Sequence, residues 1–181
     1  FTASAFEFTG KVVGVTDGDT ITVLAEGNKR HKVRLQHIDC PESRQPFATK
    51  AKQFLSQKVF GKSVTVKWDE MDRYKRILGN VYLGEEWVNL ELVKVGLAWH
   101  YKCYSKDKTM AAAETKAKAA KRGIWSHPNQ TPPWDFRRGK GVALIEIGQP
   151  NTAVFISRTG TKYHREDCRF VTKSKLPTTL Q

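Results

Sequence analysis

Acidic side chains are scarce in this sequence. Its 181 residues hold 18 Asp plus Glu against 31 Lys plus Arg, a net charge of +13. So one-sided a balance suits a polyanionic partner, whether nucleic acid, an acidic membrane surface or an acidic protein, and charge alone leaves all three open. Long apolar runs are missing too. Nothing approaches the roughly 18 residues of a membrane-spanning helix, and the mean hydropathy is −0.53. Cysteine is sparse: Cys40, Cys103 and Cys168 form no Cys-x-x-Cys pair, which removes the usual zinc-ribbon reading. An odd count permits one disulfide with a free thiol or three free thiols, so cysteine usage fixes no compartment. The five histidines (His31, His37, His100, His127 and His164) show no metal-type spacing. Internal repeats and low-complexity tracts are absent. What is present is a 39% share of hydrophobic residues, too apolar for a disordered basic tail and enough for a domain with its own core.

The periodicity reads first as β, then as α+β. Residues 8–15, 21–24 and 31–38 alternate or are β-branched, with Asp17-Gly18-Asp19 and Glu26-Gly27-Asn28 as turns between them. Residues 47–60 change to helical spacing, with Phe47, Ala51, Phe54, Leu55 and Val59 on one face. Residues 63–68 and 76–83 read as a fourth and a fifth strand. Residues 88–95 read as a short helix ended by Gly96, and 110–122 as a helix rich in alanine and lysine, closed by Gly123. Five short strands with a helix after the third predict a five-stranded Greek-key barrel of the OB type, α+β and mostly β, carrying three helices. Pro128, Pro132 and Pro133 mark a boundary or an extended strap. Residues 142–147 and 153–157 predict further strands, so the expected organisation is a domain over 1–140 and a small β appendage over 141–181.

The scarce acids are clustered. Asp17, Asp19, Asp39 and Glu42 fall at the ends of the first three expected strands, and a hairpin of the second and third would bring Asp19 near Asp39. Carboxylates gathered in a basic protein repel one another unless a cation lies between them, and all-oxygen donors suit a hard divalent ion. The same residue types are also common turn formers, so both readings stand on pattern alone. Arg34 on the third strand and Arg76 opening the fifth add two guanidiniums, which bind phosphate oxygens through paired N–H groups. Metal, carboxylates and arginines are the parts that stabilise charge in phosphoryl transfer.

These residues carry a family resemblance. Asp17-Gly18-Asp19-Thr20, Val33-Arg34-Leu35, Ile38-Asp39-Cys40-Pro41-Glu42, Asp72-Arg73-Tyr74-Lys75-Arg76, Val88-Asn89, Gly96-Leu97-Ala98 and Gly123-Ile124-Trp125-Ser126 occur in an order and spacing that resembles the staphylococcal nuclease (thermonuclease) family over about residues 8–127. The resemblance implies a Ca²⁺-dependent phosphodiesterase acting on DNA and RNA, with single-stranded or unpaired regions favoured. Asp19, Asp39 and the backbone carbonyl of Cys40 match the metal ligands. Cys40 stands where threonine is frequent, a change that a carbonyl ligand tolerates. Glu42 matches the catalytic glutamate, and Arg34 and Arg76 the catalytic arginines. In the implied reaction water attacks phosphorus in line, the 5′-oxygen leaves and the products carry 3′-phosphates.

Substrate contacts are implied at Arg73, Tyr74, Tyr101 and Tyr104. Arg73 replaces the family's usual lysine, and Lys75 replaces a common glycine just before Arg76, which puts the pose of Arg76 in question. The segment Trp99-His100-Tyr101-Lys102-Cys103-Tyr104 interleaves rings and positive charge, as base stacking requires. Tyr104 falls on one of two tyrosines that line the nucleotide pocket in the family's best-known member; Lys102 takes the other position and Tyr101 is one place off. Packing against the barrel is the competing reading of this stretch. A Cys40–Cys103 disulfide is an open expectation, as is a metal or partner role for Tyr163-His164-x-x-x-Cys168. The resemblance further implies a monomer that is secreted or periplasmic, with which the missing initiator Met agrees. A non-catalytic nucleic-acid-binding OB module is the alternative function. A membrane- or protein-binding module finds no amphipathic basic helix to support it.

Overall fold

Burial alternates along the strands as a half-buried sheet demands, and the alternation builds a barrel. The structure, a computed structural model, describes residues 6–128 and 130–139, with the backbone of 154–156 and 163–165. Strands β1 (Phe6–Val15), β2 (Thr20–Ala25), β3 (Arg30–Leu35), β5 (Ser63–Met71) and β6 (Ile77–Leu83) lie in the order β3-β2-β1-β5-β6. A parallel pairing of β3 with β6, Val33 against Ile77 and Leu35 against Gly79, closes the ring. The other pairings in the ring are antiparallel. Val12, Ile21, Val23, Val33, Leu35, Val64, Val66, Ile77 and Val81 fill the interior. Helices α1 (Ala48–Val59), α2 (Val88–Lys94) and α3 (Lys108–Ala119) contribute Leu55, Leu92 and Met110 to the same core. This is the expected five-stranded α+β barrel with three helices. A two-residue strand β7 (Glu86–Trp87) pairs with β6 at its edge.

The third expected strand is broken. It runs only to Leu35; Gln36 and His37 turn, with His37 at φ +68°, and Ile38–Asp39 starts a separate strand, β4. A left-handed residue cannot continue an extended strand. β4 instead pairs with β8 (Trp99–His100), Asp39 opposite Trp99. His37, inside the strand expected over 31–38, is therefore a half-buried turn residue, edge-on to the Trp87 ring at 6.2 Å.

Asn89, fully buried on α2, pins that turn. Its side-chain oxygen accepts the Val81 N–H at 3.0 Å, and its amide donates to the carbonyls of Gln36 at 2.9 Å and Gly79 at 3.1 Å. Two backbone groups of β6 and one of the turn after β3 thus bond to one side chain. Asn89→Ala is expected to destabilise the domain by about 3 kcal/mol, since each buried group left unpaired costs about 1–3 kcal/mol; urea unfolding checks it.

Beyond α3, whose N-terminus is capped by the Asp107 carboxylate accepting the Met110 N–H at 2.8 Å, the prolines do not simply mark a boundary. Pro133 opens a short helix α4 (Pro133–Arg137), where its fixed φ and missing N–H fit the first turn. The chain divides into two compact units, Phe1–Ala143 and Leu144–Gln181. In the second, β9 (Val154–Ile156) pairs antiparallel with β10 (Tyr163–Arg165), Tyr163 opposite Ile156. The expected strand over 142–147 and Cys168 lie outside the described residues.

Candidate active site

The β1–β2 turn is tight because Thr16 N–H donates to the Thr20 carbonyl at 2.8 Å and Asp19 N–H donates to the Asp17 carboxylate at 3.1 Å. Gly18 lets this turn lie directly on Cys40 and α1. A Cβ there would stand 2.8 Å from the Cβ atoms of both Ala51 and Cys40. The buried Cys40 thiol, pushed up by burial and so kept neutral, donates to the Gly18 carbonyl at 3.2 Å. Cys40 N–H donates to Asp19 Oδ2 at 2.8 Å, and the Thr20 hydroxyl donates to Asp19 Oδ1 at 3.2 Å. Turn and β4 end are thereby tied together.

Two carboxylates meet at this junction almost out of reach of water: Asp19 is 5% exposed and Asp39 1%. Arg34 stands opposite Thr20 in the β2–β3 ladder, which aims its guanidinium at the same place. It pairs with Asp19 Oδ2 and, at 2.7 Å, with Asp39 Oδ1. The hairpin logic of the sequence therefore does bring Asp19 and Asp39 together, with Arg34 between them. Glu42, half-buried, lies beyond them, its backbone N–H donating to Gln45 Oε1 at 2.9 Å.

The second guanidinium at these carboxylates is one that no sequence motif names. Arg137, at the end of α4, donates from Nη1 to Glu42 Oε1 at 2.5 Å and to Asp39 Oδ1 at 3.2 Å, and from Nη2 to Asp39 Oδ2 at 2.8 Å. Burial works against its charge, but the bonds to Asp39 and Glu42 outweigh that and raise its pKa further above the ordinary value. The strap carrying it is fastened elsewhere as well, with Pro133 buried. Gln45 Nε2 donates to the Thr131 carbonyl at 2.7 Å. The Trp134 ring stacks on Tyr101, 5.2 Å between centroids and 9° between planes. Burial and the nearby Asp39 charge push the Tyr101 phenol up. The only signal in the sequence was a Trp and two arginines just behind a proline pair, outside the resembling segment.

The other expected residues form a separate group. Asp72 binds Arg76 through Nε and Nη2, both at 2.7 Å, and accepts the backbone N–H groups of Arg76 and Tyr74 at 3.0 and 2.9 Å. Burial opposes the Asp72 charge, yet these bonds prevail and hold its carboxyl below the ordinary range. Lys75, where glycine is common, takes the left-handed backbone that glycine would favour, φ +59°. Arg76 is thus committed to its own turn, and its described bonds do not reach the carboxylates of Asp19, Asp39 or Glu42. Arg73 lies over the exposed Tyr74 ring at 4.8 Å.

Tyr104 is 77% exposed, and its ring is 4.8 Å from that of Tyr101. Tyr101 has two ring neighbours, Tyr104 tilted against it and Trp134 stacked on it, so it is not an open stacking platform here. Lys102, on the other tyrosine position, pairs with buried Glu114 at 2.8 Å. Cys40 and Cys103 are both free, the first buried against Gly18 and the second exposed, which overturns the expected disulfide.

The donors fit a hard divalent cation in kind. Among the described residues, no group of three or more His, Cys, Asp or Glu is arranged to hold a metal. Asp19 and Asp39, however, already converge on a single positive group, Arg34. Two carboxylates with the adjoining Cys40 carbonyl and water make an all-oxygen set suited to Ca²⁺.

Known proteins resemble this chain over the same region. The family described as Staphylococcal nuclease homologue matches residues 32–127, which include Arg34, Asp39, Glu42 and Arg76 but neither Asp19 nor Arg137. The protein named "Uncharacterized endonuclease" of Haemophilus influenzae is 45% identical, covering 75% of this chain and 76% of that one. "Micrococcal nuclease" of Shigella flexneri is 40% identical over 73% of this chain and 82% of its own. "Protein ParB" of Escherichia coli is 38% identical over 73% and 80%. Among the described residues no helix is long and apolar enough to cross a membrane.

Proposed function

The chain belongs to the staphylococcal nuclease homologue family and is a nuclease of that family; we propose that it is a Ca²⁺-dependent enzyme that hydrolyses phosphodiester bonds of DNA and RNA, preferring unpaired strands. The observation that carries this reading is the convergence of buried Asp19 and Asp39 on one cationic group beside Glu42. Ca²⁺ would be held by Asp19, Asp39 and the Cys40 carbonyl. When bound it would polarise a phosphoryl oxygen and offset charge in the transition state.

The protein's own groups do the rest. Glu42, the most exposed of the three carboxylates, accepts a proton from the attacking water or orients it. Arg34, fixed by β3, offers N–H groups to the non-bridging phosphate oxygens. Arg76 keeps Nη1 clear of its bonds to Asp72 and presents it to the phosphate on the leaving side. Arg73, Tyr74 and Tyr104 line the approach for flanking nucleotides, the rings stacking on bases. Departure of the 5′-oxygen leaves 3′-phosphate ends. The +13 charge draws the polyanion in and makes binding weaken with salt. A secreted or periplasmic location accompanies this reading.

A second reading, a nucleic-acid-binding module without chemistry, is favoured by one feature: two guanidiniums already neutralise most of the carboxylate charge. Digestion of 5′-labelled single-stranded DNA separates the two. Cleavage with Ca²⁺, its loss in chelator and 3′-phosphate ends are expected. Equal cleavage in chelator would remove the Ca²⁺ mechanism, and binding without cleavage would establish the second reading.

A further inference from the structure

Resting on the Ca²⁺ reading above, we propose that the strap of residues 130–139 is a built-in competitor of the cation: Arg137 occupies the carboxylate oxygens of Asp39 and Glu42 and must withdraw from Asp39 before a divalent ion binds.

Direct contact carries the argument. Both Asp39 oxygens accept from Arg137, Oδ1 at 3.2 Å and Oδ2 at 2.8 Å, while Oδ1 also accepts from Arg34. A buried carboxylate with both oxygens bound to guanidinium N–H groups has little donor capacity left for a metal. The two guanidiniums differ in how they are held. Arg34 projects from β3, a strand paired on both sides within the barrel, and is 13% exposed, so it belongs to the site in any state. Arg137 is 42% exposed, on a five-residue helix, and comes from 98 residues away in the sequence. Its other fastenings among the described residues are the buried Pro133, the Tyr101–Trp134 stack and the Gln45–Thr131 hydrogen bond. Such a segment can lift without disturbing the barrel core, which residues from Val12 to Ala113 provide.

Lifting the strap would change two things together. Asp39 and Glu42 would lose a counter-ion that the divalent ion replaces, and Tyr101 would lose Trp134 from one face. A ring freed beside the carboxylates is where a nucleobase flanking the scissile phosphate could stack. Cation binding and exposure of a base platform are thus coupled through one segment. Coupling of this kind is reciprocal: if Arg137 weakens Ca²⁺ binding, Ca²⁺ must weaken the hold on the strap by the same factor.

The test measures binding rather than activity. Ca²⁺ is titrated calorimetrically into the full chain and into Arg137→Ala, Trp134→Ala and Asp39→Asn, with circular dichroism verifying that each is folded. Removing the competitor is expected to tighten Ca²⁺ binding by about tenfold or more, because the apparent affinity is reduced by the fraction of molecules that are binding-competent. Trp134→Ala, which unfastens the strap without touching a site charge, is expected to shift it the same way by less. In the unaltered chain, amide exchange of residues 134–139 is expected to quicken on adding Ca²⁺, and not in Asp39→Asn. Ca²⁺ bound through Asp39 with the same or lower affinity in Arg137→Ala, or strap exchange indifferent to Ca²⁺, overturns the competitor while leaving the Ca²⁺ reading in place. Absence of any Asp39-dependent Ca²⁺ binding overturns both.

Discussion

Glu42→Gln is expected to lower kcat on single-stranded DNA by about 10²–10⁴-fold, the usual worth of a positioned general base. The three acids of the site are not equivalent. Asp19 and Asp39 are buried; Arg34 engages both, a backbone and a hydroxyl donor engage Asp19, and Arg137 engages Asp39. Glu42 has a side chain 37% exposed, and its described side-chain bond is to Arg137 alone. It is therefore the carboxylate with room for a water molecule. Glutamine keeps its shape and removes its basicity, so DNA affinity should change by no more than about twofold while kcat falls; that split marks an interaction made in the transition state rather than in binding. Single-turnover cleavage with a parallel fluorescence-anisotropy titration gives both quantities. Undiminished kcat would remove Glu42 from the chemistry, and a loss confined to KM would make it a binding group.

The geometry beneath that expectation was only partly legible in the sequence. The approach of Asp19 to Asp39 follows from local signals: alternating residues on both sides of a turn specify the β2–β3 hairpin, and its register puts Thr20 across from Arg34. The break at Gln36-His37 was hidden, because residues 31–38 all tolerate extended backbone. What interrupts them is a buried amide on α2, Asn89, fifty-three residues from the carbonyl it binds. The same limit hid Arg137. Its partners are 95 and 98 residues away, and a five-residue helix has no periodicity to announce which face it turns inward. The surroundings of Arg76 were legible only in part: Lys75 in a glycine position signalled an unusual turn, which the structure has as a left-handed lysine, but the pairing of Arg76 with Asp72 in the same turn had no signal.

Arg34→Ala should cost more stability than any other single change at the site, about 3–5 kcal/mol in the presence of chelator. The side chain is 13% exposed and answers two carboxylates that are 8% and 1% exposed. Taking it away leaves Asp19, among the described residues, with the neutral donors Cys40 N–H and the Thr20 hydroxyl, and leaves Asp39 dependent on the strap arginine. Breaking one side of a buried pair strands the other charge in a poorly solvated place, which is why the penalty exceeds that of a surface pair. In a domain of this size each kcal/mol moves the midpoint by roughly 3–5 °C, so Tm should drop by 10 °C or more. Ca²⁺ gives the experiment its second arm. A divalent ion held by Asp19 and Asp39 supplies the positive charge that the alanine variant lacks, so millimolar Ca²⁺ should restore a larger part of the loss in Arg34→Ala than it adds to the unaltered chain. Arg34→Lys should fall between, since one ammonium cannot reproduce the bridge between two carboxylates. Calorimetric scans of the three proteins, each with Ca²⁺ and with chelator, measure all of this. A Tm for Arg34→Ala within a degree or two of the unaltered chain in chelator would mean that the buried carboxylates are satisfied without it. A large loss that Ca²⁺ leaves untouched would separate the arginine's structural role from the cation's site.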